Sequence, residues 1–524
     1  MGRQSAGKAL IKGVARRWPN EAVHAFGFEK SAGQALAAQL AAEGHGGTVR
    51  WRQAPGDEAM DALGALYYPA PITAQLAHAR NQRGPASYSL FGVTHTLSST
   101  GAMDSVAALV LPPFKPWDAL ICTSNAAVSV VTRLQEEMRE VMGRSTGATR
   151  FNTIQLPVIP LGVDAPDFVR TPEMIRDARL ALGLATDEVA FLFAGRLTFH
   201  AKANPAALYQ GLEKAAARTS KSLVCIEAGL YPNSGTAEAF RAARAALAPS
   251  VRFIEVPGDN EDRYRQAWRA ADVFASLSDN IQETFGLTPV EAMAAGQPVL
   301  VSDWNGYKDT VRDGVDGYRI PVTLPMAGVG ETLARRHALS TETYDLYIGR
   351  TSMSTVIDIG VLADRIAALA ESPELRTRLG AAGAKRAREE YDWPIILDHY
   401  VDLANRLAEI RQAAGPLTPE AWPSRPDPFD LFSSYPTATL GEGWTVFSRV
   451  DEAAVQRILS LNVANYVFKD AAFSAEMILS VHRAIVLQGE VLARDLCPET
   501  GLSGEQTIQA LMWLAKFDLV EIRP

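Results

Sequence analysis

From about residue 20 to residue 320, short β-branched runs alternate with longer stretches whose apolar positions recur at helical spacing. The first series of strand candidates covers 22–26, 48–52, 89–93, 118–123 and 154–159. A second series covers 189–194, 222–228, 251–256, 273–276 and 298–302, with helical patterns at 205–218, 236–246 and 260–271 between them. Strand and helix in alternation predict parallel sheets covered by helices. Two such series predict two doubly wound α/β domains, with Pro160-Leu161-Gly162-Val163-Asp164 as the turn between them.

From 361 to 411 the pattern turns wholly helical. The stretch 415–443 then holds Pro416, Pro419, Pro423, Pro426, Pro428 and Pro436 among few periodic apolar positions, which is a linker composition. The last eighty residues are mostly helical and close with a helix, a Thr500-Gly501-Leu502-Ser503 turn, a second helix and a terminal strand. That order predicts a winged-helix-like module. The expected domains are therefore 1–160, 161–390, a terminal helix over 391–414, a linker over 415–443 and a module over 444–524.

Composition changes this picture little. The chain has 524 residues, 47% of them hydrophobic and 21% charged, an ordinary balance for a globular protein of several domains. Its net charge of -8 argues against broad attraction to nucleic acid. The module agrees, with seven Lys/Arg against eleven Asp/Glu over 440–524, so protein contact or packing suits it better than phosphate binding. Cys122, Cys225 and Cys497 lack metal-ligand spacing and fit a reducing cytoplasm. No apolar run approaches the roughly 18 residues that span a bilayer. The first eighteen residues carry Arg3, Lys8, Lys12, Arg16 and Arg17, with Leu10, Ile11, Val14 and Trp18 on one helical face. A surface helix of the first domain is the preferred reading, and a membrane-surface or targeting helix is the alternative.

Two constellations carry chemistry. The first is Phe193-Ala194-Gly195-Arg196-Leu197-Thr198-Phe199-His200-Ala201-Lys202, where a strand runs into a glycine and two cations. An arginine fork and a mobile lysine charge at a strand end suit a diphosphate; two solvated surface cations are the plain alternative. The second runs from Glu283 through Phe285, Gly286 and Leu287 to Glu291 and on to Pro298. Pro289 and Gly296 bracket a short helix over 288–295. Such a helix mouth beyond a strand aims free N–H groups into the crevice of an open sheet. Taken alone, Glu291 reads as the partner of Thr288 in a capping box, and Glu283 as a solvated loop charge.

Together these segments resemble the family 4 glycosyltransferases, whose signature is a Glu-x7-Glu motif, matched by Glu283 and Glu291. The Gly-Arg-Leu…Lys motif matches as well, with Lys202 one residue farther from Arg196 than is common. The resemblance is strong over 154–407, weaker over 88–141 and absent after about residue 412. It implies a GT-B fold: two Rossmann-like domains facing a cleft. It implies that Arg196 and Lys202 bind the donor diphosphate, that Glu291 holds the ribose hydroxyls, and that Glu283 binds hydroxyls of the transferred sugar. Gly195, Phe285, Gly286 and Leu287 resemble the family's contacts to phosphate and sugar, the loop at Val256 lies beside the base, and His95 faces the sugar. Family members usually retain anomeric configuration and bind no metal, so no cofactor is expected beyond the nucleoside-diphosphate sugar, and no catalytic carboxylate nucleophile.

The implied protein is a cytoplasmic hexosyl-type transferase acting on a glycan or lipid-linked acceptor, as in polysaccharide biosynthesis. Peripheral contact with the inner face of the membrane is an alternative localisation. No nucleic-acid partner is expected. Family members open with a strand and a glycine-rich loop, whereas this chain opens on a helical stretch, so the first strand is expected to be missing. Gly2-x4-Gly7-Lys8 imitates a phosphate loop, but Ala9 replaces its hydroxyl residue and no strand precedes it. The segment Trp304-Asn305-Gly306-Tyr307-Lys308-Asp309 also resembles family sequence and reads as a turn with a helix start. The rival functions are a GT-B nucleotide-sugar epimerase or hydrolase, and a non-catalytic binding or scaffold protein.

Overall fold

The first series of apolar runs forms short parallel strands: β1 (Val23–Phe26), β2 (Val49–Arg52), β3 (Ala65–Tyr68), β4 (Ser89–Val93) and β5 (Ala119–Ile121). The structure is a computed structural model that describes residues 2–27, 29–52, 59–468 and 473–524. It divides into two units, Met1–Trp422 and Pro423–Pro524.

In the first part of the larger unit the sheet comes in two pieces, β1-β2 and β3-β4-β5. β4 and β5 are buried throughout, whereas β1 is half-buried along its length. The expected strand at 154–159 contributes only isolated bridges, Gln155 to Ala119 and Val158 to Cys122. Pro157 between them has no N–H to extend a ladder. A fully buried ion pair, Arg80–Asp118, braces this part. Asp118 also accepts the amides of Leu90 at 3.0 Å and Lys115 at 2.9 Å.

The second series builds one parallel sheet from β6 (Val189–Arg196), β7 (Leu223–Leu230), β8 (Arg252–Pro257), β9 (Val273–Ser276), β10 (Val299–Ser302) and β11 (Gly317–Ile320). Its spatial order is β11-β10-β9-β6-β7-β8. This is the doubly wound order in which the chain first grows one way from β6 and then restarts on its other side at β9. The strands read as near-continuous apolar runs because each face of the sheet has its own core. Ala190, Leu192 and Ala194 point into one, and Phe191 and Phe193 into the other. β12 (Val322–Thr323) and β13 (Val356–Ile357) pair antiparallel at the base of an excursion that holds the helices Glu331–Ala338 and Tyr344–Ser352.

The chain then returns to the first part. Helix Trp393–Ala413 places Trp393, Ile396 and Leu407 in a core with Phe91, Val93 and Ile121. The opening helix Gly2–Arg17 packs there too, through Leu10 and Val14 together with Trp18 beyond its end. Lys12 pairs with Asp167 at 2.5 Å, Arg16 with Asp164 and Asp392, and Arg17 with Asp398 at 2.7 Å. That apolar face and those cations are engaged within the domain. The start of the expected linker is also engaged. Glu420 accepts from Asn81 at 2.9 Å and Lys115 at 2.7 Å, and Trp422 stacks on His78. The unit therefore ends at Trp422 rather than at residue 414.

In the smaller unit β14 (Thr445–Ser448) lies between β15 (Glu490–Leu492) and β16 (Val520–Arg523), antiparallel to both. Helices Ala475–Gln488 and Gly504–Lys516 cover the sheet around Val446, Ile478, Ile485 and Leu511. Ser503 and Gln506 close a capping box at the start of the second helix. The fold class is the expected one: two Rossmann-like domains and a mostly helical, winged-helix-like C-terminal unit.

Candidate active site

The two constellations leave adjacent strands. β6 and β9 are neighbours where the strand order reverses, and there the loops at the carboxyl ends diverge to open a crevice. Arg196 ends β6, and the polar segment before Glu283 follows β9. Segments about eighty positions apart in sequence thus meet.

After β6 the chain turns sharply: the Thr198 amide donates to Arg196 O at 3.0 Å, and the Lys202 amide to Thr198 O at 3.1 Å. This returns the lysine side chain beneath Gly195, where a Cβ would stand 3.7 Å from Lys202 Cε. Three consecutive residues of the opposite loop hold the turn. Ser278 donates to Lys202 O at 3.2 Å, Asp279 accepts the Asn204 amide at 3.3 Å, and the Asn280 amide group donates to His200 O. The polar run Ser278-Asp279-Asn280 is the sequence signal for this clamp.

The charges then pair across the gap. Lys202 Nζ lies 2.6 Å from Glu283 Oε2, and Arg196 donates to Gln282 Oε1 at 3.0 Å. Burial works against the Lys202 ammonium, but Glu283 and Tyr307 outweigh it, so the lysine titrates above its ordinary value. Burial likewise opposes the Glu283 carboxylate, and Lys202 more than compensates, leaving it below the ordinary carboxylate range. Glu291 differs. Burial pushes it up to about 7, and Lys202 offsets only part of the shift. Burial also pushes Asp279 up to about 7.

The helix after Glu283 begins at Leu287, with Gly286 as its cap in a left-handed conformation (φ 91°) and no side chain on its free amides. The expected capping box is absent: Thr288 Oγ1 is buried without a hydrogen-bond partner. The helix starts one residue earlier than the pattern suggests, so Thr288 lies inside the first turn and cannot cap it. Gly286 is required by space as well as by φ, since a Cβ there would stand 1.9 Å from Tyr307 Cε1. The Phe285 side chain is in the core, so only its backbone faces the crevice. Val256 is likewise 1% exposed, which leaves the backbone at 256–258 to meet any ligand.

The segment 304–309 forms the back wall. Trp304 Nε1 donates to Asn280 O at 3.0 Å, Asn305 Nδ2 to Glu283 O at 2.9 Å, and Tyr307 shares a 2.8 Å hydrogen bond with Ser276. It is the turn and helix start expected of it, Tyr307–Thr310 being the helix. Its contacts to the Glu283 loop were not foreseen.

His95 follows β4 in the first domain, and its Nε2 donates to Pro69 O at 2.7 Å. Its neighbours reach the second domain: Ser98 Oγ lies 2.8 Å and Thr96 Oγ1 3.3 Å from the Tyr344 hydroxyl. A second bridge runs from Ser124, whose hydroxyl donates to Thr284 O at 2.7 Å, and from Asn125, whose amide donates to Asp309. The structure therefore gathers Gly195, Arg196, Lys202, Glu283, Phe285, Gly286, Leu287 and Glu291 about the ends of β6 and β9, while the contact described for His95 is to Pro69 within the first domain. Among the described residues no cluster of His, Cys, Asp and Glu could hold a metal ion. No helix of the described chain is long and apolar enough to cross a membrane.

The Met1–Trp422 unit has the GT-B architecture, and residues 175–329 match the model for glycosyl transferases group 1. Among relatives, a D-inositol 3-phosphate glycosyltransferase of Geodermatophilus obscurus is 36% identical over 197 residues, 35% of this chain and 41% of that protein. A phosphatidyl-myo-inositol mannosyltransferase of Mycobacterium tuberculosis is 30% identical over 261 residues, 49% of this chain and 56% of that protein. The chain thus spans about half the length of these relatives. A glycosyltransferase from Rickettsia africae superposes with a TM-score of 0.51 at 11% identity, covering 77% of this chain and 94% of that one, which is a likeness of fold.

Proposed function

We propose that the chain is a retaining glycosyltransferase that moves a hexose-type sugar from a nucleoside diphosphate to a glycan or lipid-linked acceptor. The observation that carries this reading is the convergence of Arg196 and Lys202 on the loop that leads into the uncapped helix Leu287–Ala294. Two cations and free backbone amides suit a pyrophosphate, and they stabilise the charge that grows on it as it leaves. The match over 175–329 and the two relatives support the same class.

In this reading the bond between the anomeric carbon and the diphosphate oxygen breaks, and its electron pair goes to that oxygen. Arg196 and Lys202 hold the departing diphosphate. The acceptor hydroxyl attacks the same face of the sugar and passes its proton to the leaving phosphate oxygen. No carboxylate nucleophile and no metal take part. Glu283 orients hydroxyls of the transferred sugar, Glu291 the ribose hydroxyls, and the backbone near Gly195, Val256, Phe285, Gly286 and Leu287 lines the donor. His95 faces the sugar from the first domain.

A donor screen by mass spectrometry with cell-extract acceptors tests the proposal. The expected product carries one added hexose with retained configuration. Consumption of donor without any acceptor would favour an epimerase or hydrolase, and binding of no nucleoside diphosphate would favour a scaffold. The Pro423–Pro524 unit is proposed to contact protein. The exposed side of its last helix offers Glu505, Met512 and Lys516, a poor surface for phosphate.

A further inference from the structure

The side chain of Glu283 already holds what a diphosphate would need. Its Oε2 accepts from Lys202 Nζ at 2.6 Å, and its Oε1 accepts from the Thr284 amide at 3.3 Å. Both side chains are largely withdrawn from water, at 15% exposure for Lys202 and 18% for Glu283. A carboxylate set between an ammonium and a backbone N–H reproduces two oxygens of a phosphate, with a single negative charge. The backbone of Glu283 is fixed on both sides: its amide donates to Asn280 O at 3.3 Å, and its carbonyl accepts from Asn305 at 2.9 Å. Only side-chain rotation is then needed for the carboxylate to leave Lys202.

We propose that Glu283 is the resident anion of the diphosphate subsite. It neutralises Lys202 in the empty enzyme, turns to the sugar hydroxyls when donor binds, and recaptures Lys202 to help expel the nucleoside diphosphate after transfer. The inference rests on reading Arg196 and Lys202 as the diphosphate ligands. Its physical basis is exchange. An ammonium held out of water keeps a partner, and a diphosphate that takes Lys202 competes with Glu283 for it and meets that carboxylate's like charge at close range. Intact donor pays for this through its sugar hydroxyls, which occupy the freed carboxylate. The product diphosphate brings no sugar and leaves that carboxylate with neither the ammonium nor the hydroxyls. Glu283 therefore discriminates donor from product as well as orienting the sugar.

Calorimetric titration of the full chain with UDP, GDP and ADP tests this in the wild type, Glu283→Gln, Lys202→Met and the double variant. Glu283→Gln is expected to bind the preferred nucleoside diphosphate about tenfold more tightly, within the range of couplings between contacting residues. Lys202→Met should bind it more weakly than wild type. In the Lys202→Met background Glu283→Gln should bring no gain, because the carboxylate acts through that ammonium. Equal or weaker binding by Glu283→Gln overturns the inference. So does a gain that persists without Lys202, which would mark a general effect of net charge. Should Glu283→Gln fail to fold, Glu283→Asp carries the test. Its carboxylate, withdrawn by one methylene, is expected to give a smaller gain, and no gain overturns the proposal. A wild type that binds none of the three nucleotides would sink the diphosphate reading itself, an outcome distinct from the others.

Discussion

The two halves of the Met1–Trp422 unit are both parallel α/β, yet they spend their buried polar groups differently. In the first, the fully buried pair Arg80–Asp118 ties a helix to the amino end of β5, and the sheet comes in two pieces. In the second, a continuous six-stranded sheet carries its paired charges, Lys202 and Glu283, at the carboxyl edge of β6 and β9. A buried pair in a core is spent on structure. A pair at a switch point is available for exchange with a ligand. The contrast teaches that burial alone does not mark a site; position relative to the strand ends does.

The largest expected effect breaks the second half's chemistry without its fold. Lys202→Ala is expected to lower transfer at least about 100-fold, the scale of losing a charged stabiliser of a leaving group, while the chain stays folded at a somewhat lower melting temperature because Glu283 loses its partner. Wild-type turnover in this variant would remove the site assignment. Next comes the reverse in the first half. Asp118→Ala strands the Arg80 guanidinium in the core and is expected to cost about 3–5 kcal/mol in urea unfolding. A loss below about 1 kcal/mol would mean that water reaches the pair.

Glu291 sharpens the comparison through pH. Its carboxyl rises from the ordinary 4.5 to about 7 in the folded chain, because burial disfavours its charge. The folded state therefore holds this proton more tightly than the unfolded one. The resulting stabilisation is complete below pH 4.5 and is lost as pH rises through about 7. Glu291→Gln is thus expected to stabilise the chain at pH 8 by on the order of 1–3 kcal/mol, to leave it unchanged at pH 4, and to weaken donor binding. Equal stabilisation at both pH values would disprove the titration. The smallest expected effect is at the bridge between the halves. Tyr344→Phe removes the hydroxyl that meets Ser98 and Thr96 and is expected to cost about 0.5–1.5 kcal/mol. Amide exchange over 94–99 should quicken while nucleotide affinity stays within about twofold; an unchanged exchange rate would show that the bridge holds nothing.

Most strands of the second half were legible because their runs are apolar on both faces and end in glycine, proline or polar residues. β3 in the first half and β11 in the second were not. Ala65–Tyr68 is too short to show a period, and Gly317–Ile320 carries a glycine and an arginine that weaken its strand signal. The expected strand at 154–159 has the right composition, yet Pro157 interrupts its ladder. Gly-Arg-Leu…Lys and Glu-x7-Glu stood out because each is local, compressed into eight or fewer intervening residues. Tyr307, Tyr344, Ser124 and the clamp from Ser278 to Asn280 did not stand out, because a hydroxyl or amide gains its meaning from a partner distant in sequence.

The chain's own letters settled the βαβ alternation, the helix mouth beside Gly286 and the two pairs of charged side chains, since each arises from neighbours within a turn or two. Tertiary structure alone decided that Lys202 faces Glu283, that Thr288 caps nothing and that Arg80 is sealed away. Those facts depend on which strand lies beside which. Placing β9 against β6 is a property of the packed sheet as a whole, and no local periodicity encodes it.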